Sequence, residues 1–159
     1  LAGNAWLEKS LANKLNREPY MARFTFKNGK QVLIASFHAV PKTKNPEREC
    51  VHLVKLAQQY PGEALMILGD FNLSQKDQAF DPLKNEGVEP CLVNQKTSLK
   101  LERKGDEFLA NEYDNIFFCK TKITKKSARI IDFTTEFPTL KEARMISDHV
   151  PVVLEFEVR

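Results

Sequence analysis

A chain of 159 residues with 42% hydrophobic content is long enough to bury one ordinary core, so a single domain over 1–159 is expected. The formal charge of +3 speaks to solubility and does not by itself call for a polyanionic partner. Cys50, Cys91 and Cys119 are odd in number and lack a CxxC pair, which excludes a disulfide framework or zinc site and leaves buried free thiols. No apolar run reaches the roughly 20 residues of a bilayer span, and no signal-like leader opens the chain.

Trp6, Leu7, Leu11 and Leu15 recur at helical spacing behind Asn4, which predicts a peripheral helix or structured loop over 1–16. Ala22, Phe24 and Phe26 alternate with Arg23 and Thr25, Asn28-Gly29 supplies a positive-φ turn, and Val32 to Phe37 returns as a buried strand. Asn45, Pro46 and Glu47 start a helix with an apolar face of Cys50, Leu53, Val54 and Ala57, and Pro61-Gly62 stops it. Ala64 to Leu68 is a short apolar run suited to a central strand. Asp81-Pro82 begins a further helix ending near Gly87. Cys91 to Val93, Tyr113 to Phe118, Arg129 to Phe133 and Pro151 to Val158 complete the strands. Hairpins beside a βαβ-like crossover predict an α+β fold, a mixed β-sheet with helices on one face, whose other face needs a cover.

Polar residues collect at the ends of these strands: His38, Asp70 with Asn72, Asp114, and Asp148-His149. Rigid strands hold such groups while the adjoining loops leave room for a substrate. If the backbone stays extended, Asp70 and Asn72 point to one side and share a metal ion or a phosphate. A hard cation such as Mg²⁺ would suit two carboxylates and an amide oxygen, so Asp70, Asn72 and Asp148 are its candidate ligands. His149 would serve as a base on water if Asp114 held its other ring nitrogen.

Four strings then stand out: Ser36-Phe37-His38-Ala39-Val40-Pro41, Leu68-Gly69-Asp70-Phe71-Asn72, Glu112-Tyr113-Asp114-Asn115-Ile116-Phe117 and Ile146-Ser147-Asp148-His149-Val150-Pro151. In this order they resemble the signature blocks of the endonuclease/exonuclease/phosphatase superfamily. Arg17-Glu18-Pro19-Tyr20 with Ala22-Arg23-Phe24 resembles a block of its deoxyribonuclease I-like branch. The resemblance implies one half, the C-terminal one, of a four-layer α/β/β/α sandwich. It further implies His149 as general base oriented by Asp114, and His38 as general acid or leaving-oxygen stabiliser. Asp70 and Asn72 would hold the metal or the scissile phosphate, Asp148 would ligate metal, and Arg17 would contact a phosphate. Mg²⁺ is the implied cofactor, with Mn²⁺ or Ca²⁺ as alternatives.

The family's first sheet, with an Asn and two Glu of the metal site, has no counterpart here. Glu8 and Glu18 are expected to be solvated surface charges, and His38 lacks a carboxylate partner. A partner chain or an N-terminal half is therefore expected over the second sheet face. Lys120, Lys122, Lys125, Lys126 and Arg129 form one basic run and Lys96, Lys100, Arg103 and Lys104 another. Most such runs are solvated faces, although either would suit a phosphate backbone. Thr97-Ser98 matches a threonine-rich loop of the branch weakly, and a plain surface loop is the simpler expectation. Metal-dependent cleavage of DNA is the leading expectation, a phosphatase or phospholipase on inositol phosphates or sphingomyelin the second, and a non-catalytic half the third.

Overall fold

The computed structural model describes residues 3–159, so Leu1 and Ala2 of the N-terminal expectation lie outside it. Where a helix or structured loop was expected, the chain forms β1 (Trp6–Leu7) and a 3₁₀ turn over Lys9–Leu11. The reason is local: the Glu8 side chain accepts the Ser10 N–H and its backbone N–H donates to Pro19. These bonds tie the segment to β2 (Tyr20–Thr25) as an edge strand, while Leu11 and Leu15 still reach the core.

Asn28-Gly29 closes the expected hairpin, with Gly29 at φ 81°, and β2 pairs antiparallel with β3 (Gln31–His38). The crossover to β4 (Leu65–Asp70) is helical: α1 (Glu47–Cys50) continues through a 3₁₀ turn into α2 (Val54–Gln59). A positive-φ Asn45 ahead of Pro46 sets its start. After β4 come α3 (Asp81–Asn85), β5 (Val88–Pro90), the hairpin of β6 (Leu99–Lys104) and β7 (Glu107–Leu109), and β8 (Asp114–Cys119). The chain ends with β9 (Ile123–Ile130), α4 (Leu140–Arg144) and β10 (Val152–Val158).

The main sheet runs β1-β2-β3-β4-β8-β5, with β3 and β4 parallel and the other neighbours antiparallel. Leu33, Ala35, Phe37, Leu65, Ile67 and Phe117 point to one face, where Cys50, Leu53, Leu56 and Leu83 of the helices bury them. This is the α+β arrangement expected, with helices on one side. Removing each such side chain from water contributes on the order of 2 kcal/mol.

The opposite face departs from expectation. β9 and β10 do not extend the sheet but pair with each other and lie across that face, against Val32, Met66 and Phe118. Val152, Leu154, Phe156 and Val158 alternate with Val153, Glu155 and Glu157, so one side of β10 is apolar. The cover is partial, and Ile34, Ile116, Leu154 and Phe156 remain half-buried. The cysteines are free, with Cys50 and Cys91 buried and Cys119 half-buried. Among the described residues no helix is long and apolar enough to cross a membrane.

Candidate active site

Strand register assembles the site. His38 lies opposite Asp70 in the parallel β3–β4 pair, and Asp70 lies opposite Asp114 in the antiparallel β4–β8 pair. Three strand ends thus present three polar side chains in a row. Gly69 permits the approach of β4 to β3: at φ 141°, a Cβ there would stand 1.9 Å from the Phe37 carbonyl oxygen. Phe71, between Asp70 and Asn72 in sequence, is buried against Phe37, Phe80 and Phe117 at ring separations of 5.9, 5.6 and 5.1 Å. This aromatic cluster anchors the loop from beneath.

The backbone does not stay extended through Asp70-Phe71-Asn72, so the condition for the two side chains to share one side is not met. Asn72 is left-handed at φ 49°, and its N–H donates to Asp70 Oδ1 at 2.8 Å, so the segment is a turn closed by the aspartate. The Asn72 amide donates to the Ala39 carbonyl at 3.2 Å, which holds it beside the end of β3.

His149 arrives from the far end of the chain. Its loop is stitched to the start of β6 and the loop ahead of it by Leu99 N–H to the Asp148 carbonyl at 2.7 Å and Val150 N–H to the Thr97 carbonyl at 2.8 Å. There Nδ1 meets Asp114 Oδ2 at 2.6 Å. A carboxylate accepts, so Nδ1 carries the proton and Nε2 is left with the free lone pair. The hydrogen bond to Asp114 raises the His149 pKa, against burial, and the charge of Asp114 and Asp70 adds to the rise.

His38 is held differently. Arg17 Nη1 lies 2.9 Å from His38 Nδ1, and a guanidinium has no acceptor, so Nδ1 accepts and the ring proton sits on Nε2. That Nε2 lies 3.6 Å from Asp70 Oδ2. Arg17, expected on a phosphate, thus bonds one ring nitrogen of His38 while the Asp70 carboxylate, a partner the sequence did not suggest, faces the other.

Asp70 and Asp114 stand side by side, and burial raises the Asp70 pKa first, with the neighbouring Asp114 charge adding to it. A divalent cation would offset that repulsion. Asp70, Asp114 and His149 each offer a ligand atom within 4.8 Å of the others. The donor set fits a hard, water-keeping ion such as Mg²⁺ better than a closed zinc site, because Asp114 and His149 already occupy each other. Asp148 is not brought into this group: its carboxylate is exposed and lies 3.9 Å from Arg144.

Two supporting residues escaped the sequence reading. Thr97 is fully buried, not a surface-loop residue: its hydroxyl donates to Asp114 Oδ2 at 2.6 Å and accepts from the Asp114 N–H at 2.9 Å. Glu49, on α1, accepts the Asn16 N–H at 2.6 Å and the Val40 N–H at 2.7 Å, which fixes the segments carrying Arg17 and His38. The acidic first turn was the one signal for Glu49, and it reads there as a helix-dipole charge. Glu8, expected in solvent, is 5% exposed and bonded to Tyr60, Trp6, Gln59 and Ser10 away from the site. The basic runs are largely used locally: Lys125 donates to the Cys91 carbonyl, Lys120 pairs with Glu89, Lys126 with Glu157 and Lys100 with Glu107, and Arg103 donates to Thr134.

No protein-family model matches the chain, and no curated protein sequence matches it. Solved structures do. A mannosyl-6-phosphatase from Bacteroides thetaiotaomicron superposes with a TM-score of 0.66 at 21% identity, over 87% of this chain and 56% of that one. The human nocturnin catalytic domain with bound sulfate gives 0.58 at 17% identity, over 89% and 53%. Danio rerio TDP2 in complex with a single-stranded DNA product gives 0.64 at 17%, over 99% and 67%. The chain spans a little over half the length of the first two. Such a likeness, at identities this low, speaks to architecture: this chain has the fold of endonuclease/exonuclease/phosphatase family proteins over about half of their length.

Proposed function

We propose that this chain is the histidine-bearing part of a divalent-metal-dependent phosphodiesterase, and that the complete protein cleaves DNA. The observation that carries the reading is the 2.6 Å bond between His149 Nδ1 and Asp114, which leaves Nε2 as the base on a ring grouped with Asp70 and Asp114. His149 Nε2 takes a proton from water, and the resulting hydroxide attacks phosphorus in line with the leaving oxygen. His38, whose Nδ1 accepts from Arg17, presents its Nε2–H to the leaving or phosphoryl oxygen and stabilises it by hydrogen bonding. Asn72 steadies a phosphoryl oxygen, and Arg17 keeps the His38 tautomer. Bound at Asp70, with Asn72 nearby, Mg²⁺ would supply Lewis acidity toward the phosphate. Asp148 stays a candidate ligand only in the complete protein, through a turn of its exposed side chain.

The half-buried Ile34, Ile116, Leu154 and Phe156 support a further sheet, from an N-terminal half or a partner chain, over the face that β9 and β10 leave partly open. DNA is favoured because Arg17, of the string Arg17-Glu18-Pro19-Tyr20, bonds His38 at the site and the structural neighbour TDP2 holds a single-stranded DNA product. The likeness to a mannosyl-6-phosphatase supports a second reading, hydrolysis of a small phosphate ester. Plasmid nicking in Mg²⁺, abolished by EDTA and by His149→Ala, is expected of the complete protein. Release of phosphate from soluble esters with no nicking would replace the first reading by the second, and inertness toward both would remove them together.

A further inference from the structure

The Glu142 N–H donates to Thr139 Oγ1 at 3.2 Å, which caps α4 and fixes where it starts. Leu140 and Ala143 are buried, and Leu140 packs with Leu99 and Val150 in a small core of its own. The helix is thereby seated against the start of β6, and it ends on Arg144. Arg144 Nη1 donates to the Leu99 carbonyl at 2.8 Å and to the Lys100 carbonyl at 3.3 Å. The N–H of the same Leu99 donates to the Asp148 carbonyl at 2.7 Å, and Ser98 lies opposite His149 in an antiparallel bridge. Nη2 faces the Asp148 carboxylate at 3.9 Å. One half-buried guanidinium thus reaches both sides of the contact that carries His149.

We propose that Arg144 is a positioning residue for His149: by holding the Leu99 and Lys100 carbonyls it sets the strand edge on which the Asp148-His149 loop rests, and so the height at which His149 Nδ1 meets Asp114. The inference rests on the hydrolytic reading, under which His149 is the base. Leu99 turns its N–H to the loop and its C=O to the guanidinium, so the two bonds support each other through one residue. The segment 97–99 is then pinned at both ends, by the Thr97 hydroxyl on Asp114 and by Arg144 on Leu99. An apolar side chain could fill the same space but would leave the two carbonyls without this charged donor. Because Nη1 serves the backbone and Nη2 the carboxylate, the exposed Asp148 side chain can turn without releasing the strand.

The experiment follows the His149 Nδ1–H proton of the chain itself by NMR, since the bond to Asp114 moves that proton downfield and slows its exchange with water. Arg144→Met keeps most of the apolar stem and removes the donors. Its Nδ1–H is expected to exchange about tenfold faster than the parent's, the factor that corresponds to losing one such bond. Two controls separate this from other effects. Asp148→Asn removes the ion pair and keeps the carbonyl bonds, and Leu56→Val loosens the core on the helix side of the main sheet; both are expected to exchange at the parent rate. Parent-rate exchange in Arg144→Met would overturn the role and leave the hydrolytic reading as it stands. An equal rise in Asp148→Asn would assign the effect to the ion pair, an equal rise in Leu56→Val would assign it to general stability, and either would overturn the role too. The signal reads the His149–Asp114 pair and not turnover. Fast exchange confined to Arg144→Met, beside a complete protein that hydrolyses no phosphate ester, would keep the positioning role and remove the hydrolase.

Discussion

Thr97 and His149 share a single oxygen of Asp114, each reaching Oδ2 at 2.6 Å. Thr97 also accepts the backbone N–H groups of Asp114 and Tyr113, so one buried hydroxyl sets both the carboxylate and the strand end that carries it. Thr97→Val keeps the shape and strands both N–H groups, for an expected loss of about 1–3 kcal/mol in urea unfolding. Thr97→Ser should recover most of it. A Val variant as stable as the parent would show that the hydroxyl contributes nothing.

The His149 pKa provides a second check. Its elevation comes first from Asp114, so Asp114→Asn should bring it down, and burial would then push it lower still. The sign follows: neutral His149 is the base, so activity of the complete protein should rise with pH through the raised pKa. The stabilisation from the His149–Asp114 pair is full below the unfolded value and fades as pH rises through the folded one. NMR titration of the His149 ring protons in both proteins reads the shift directly, and identical curves would sever the pair.

Glu49 predicts a coupling between stability and His38. Glu49→Gln weakens two charge-assisted bonds to backbone N–H groups, at a cost of about 2 kcal/mol. With the Asn16 and Val40 segments released, the Arg17 to His38 bond should loosen as well, which a change in the His38 ring nitrogen shifts would record. Shifts unchanged alongside lost stability would confine Glu49 to a packing role.

Glu8 sets the acid limit. Burial would raise its pKa, but hydrogen bonds from Tyr60, Ser10 and Trp6 prevail and hold it at about 2. A depressed carboxylate stabilises the fold above its unfolded pKa of 4.5 and loses that contribution as pH falls toward 2. By linkage this is at most about 3 kcal/mol. Glu8→Gln should therefore narrow the stability difference between pH 6 and pH 3, measured by thermal unfolding at both.

Phe71→Ala removes the ring that anchors the loop between Asp70 and Asn72, and about 3–5 kcal/mol of stability with it. Differential scanning calorimetry measures the loss, and a change below about 1 kcal/mol would mean that the cluster is not what holds the loop.

Much of this was legible because strands report themselves through alternation and turns through Asn-Gly or Gly-Asp. His38, Asp70, Asp114 and His149 lie side by side, whereas Asp148, expected with them, lies beside Arg144. The failures have specific causes. β6 and β9 are rich in Lys and Arg, so basic composition masked their strand character. The expected strand at Cys91 to Val93 falls at Val88–Pro90, where a Pro and a charged residue hid the pairing with β8. Thr97, Glu49 and Glu8 act through backbone N–H groups or partners remote in sequence, and no local pattern records such bonds.

The row across β3, β4 and β8 has a consequence for how such a molecule diversifies. Backbone pairing spaces its members by one interstrand step, about 4.8 Å, independently of any connecting turn. Connections can then lengthen, change charge or be replaced while the reacting distances persist. A scaffold of this kind lets the connecting loops change while the side chains it presents keep their spacing, and the same architecture recurs in neighbours as different as a mannosyl-6-phosphatase and a DNA-bound protein at identities near 20%.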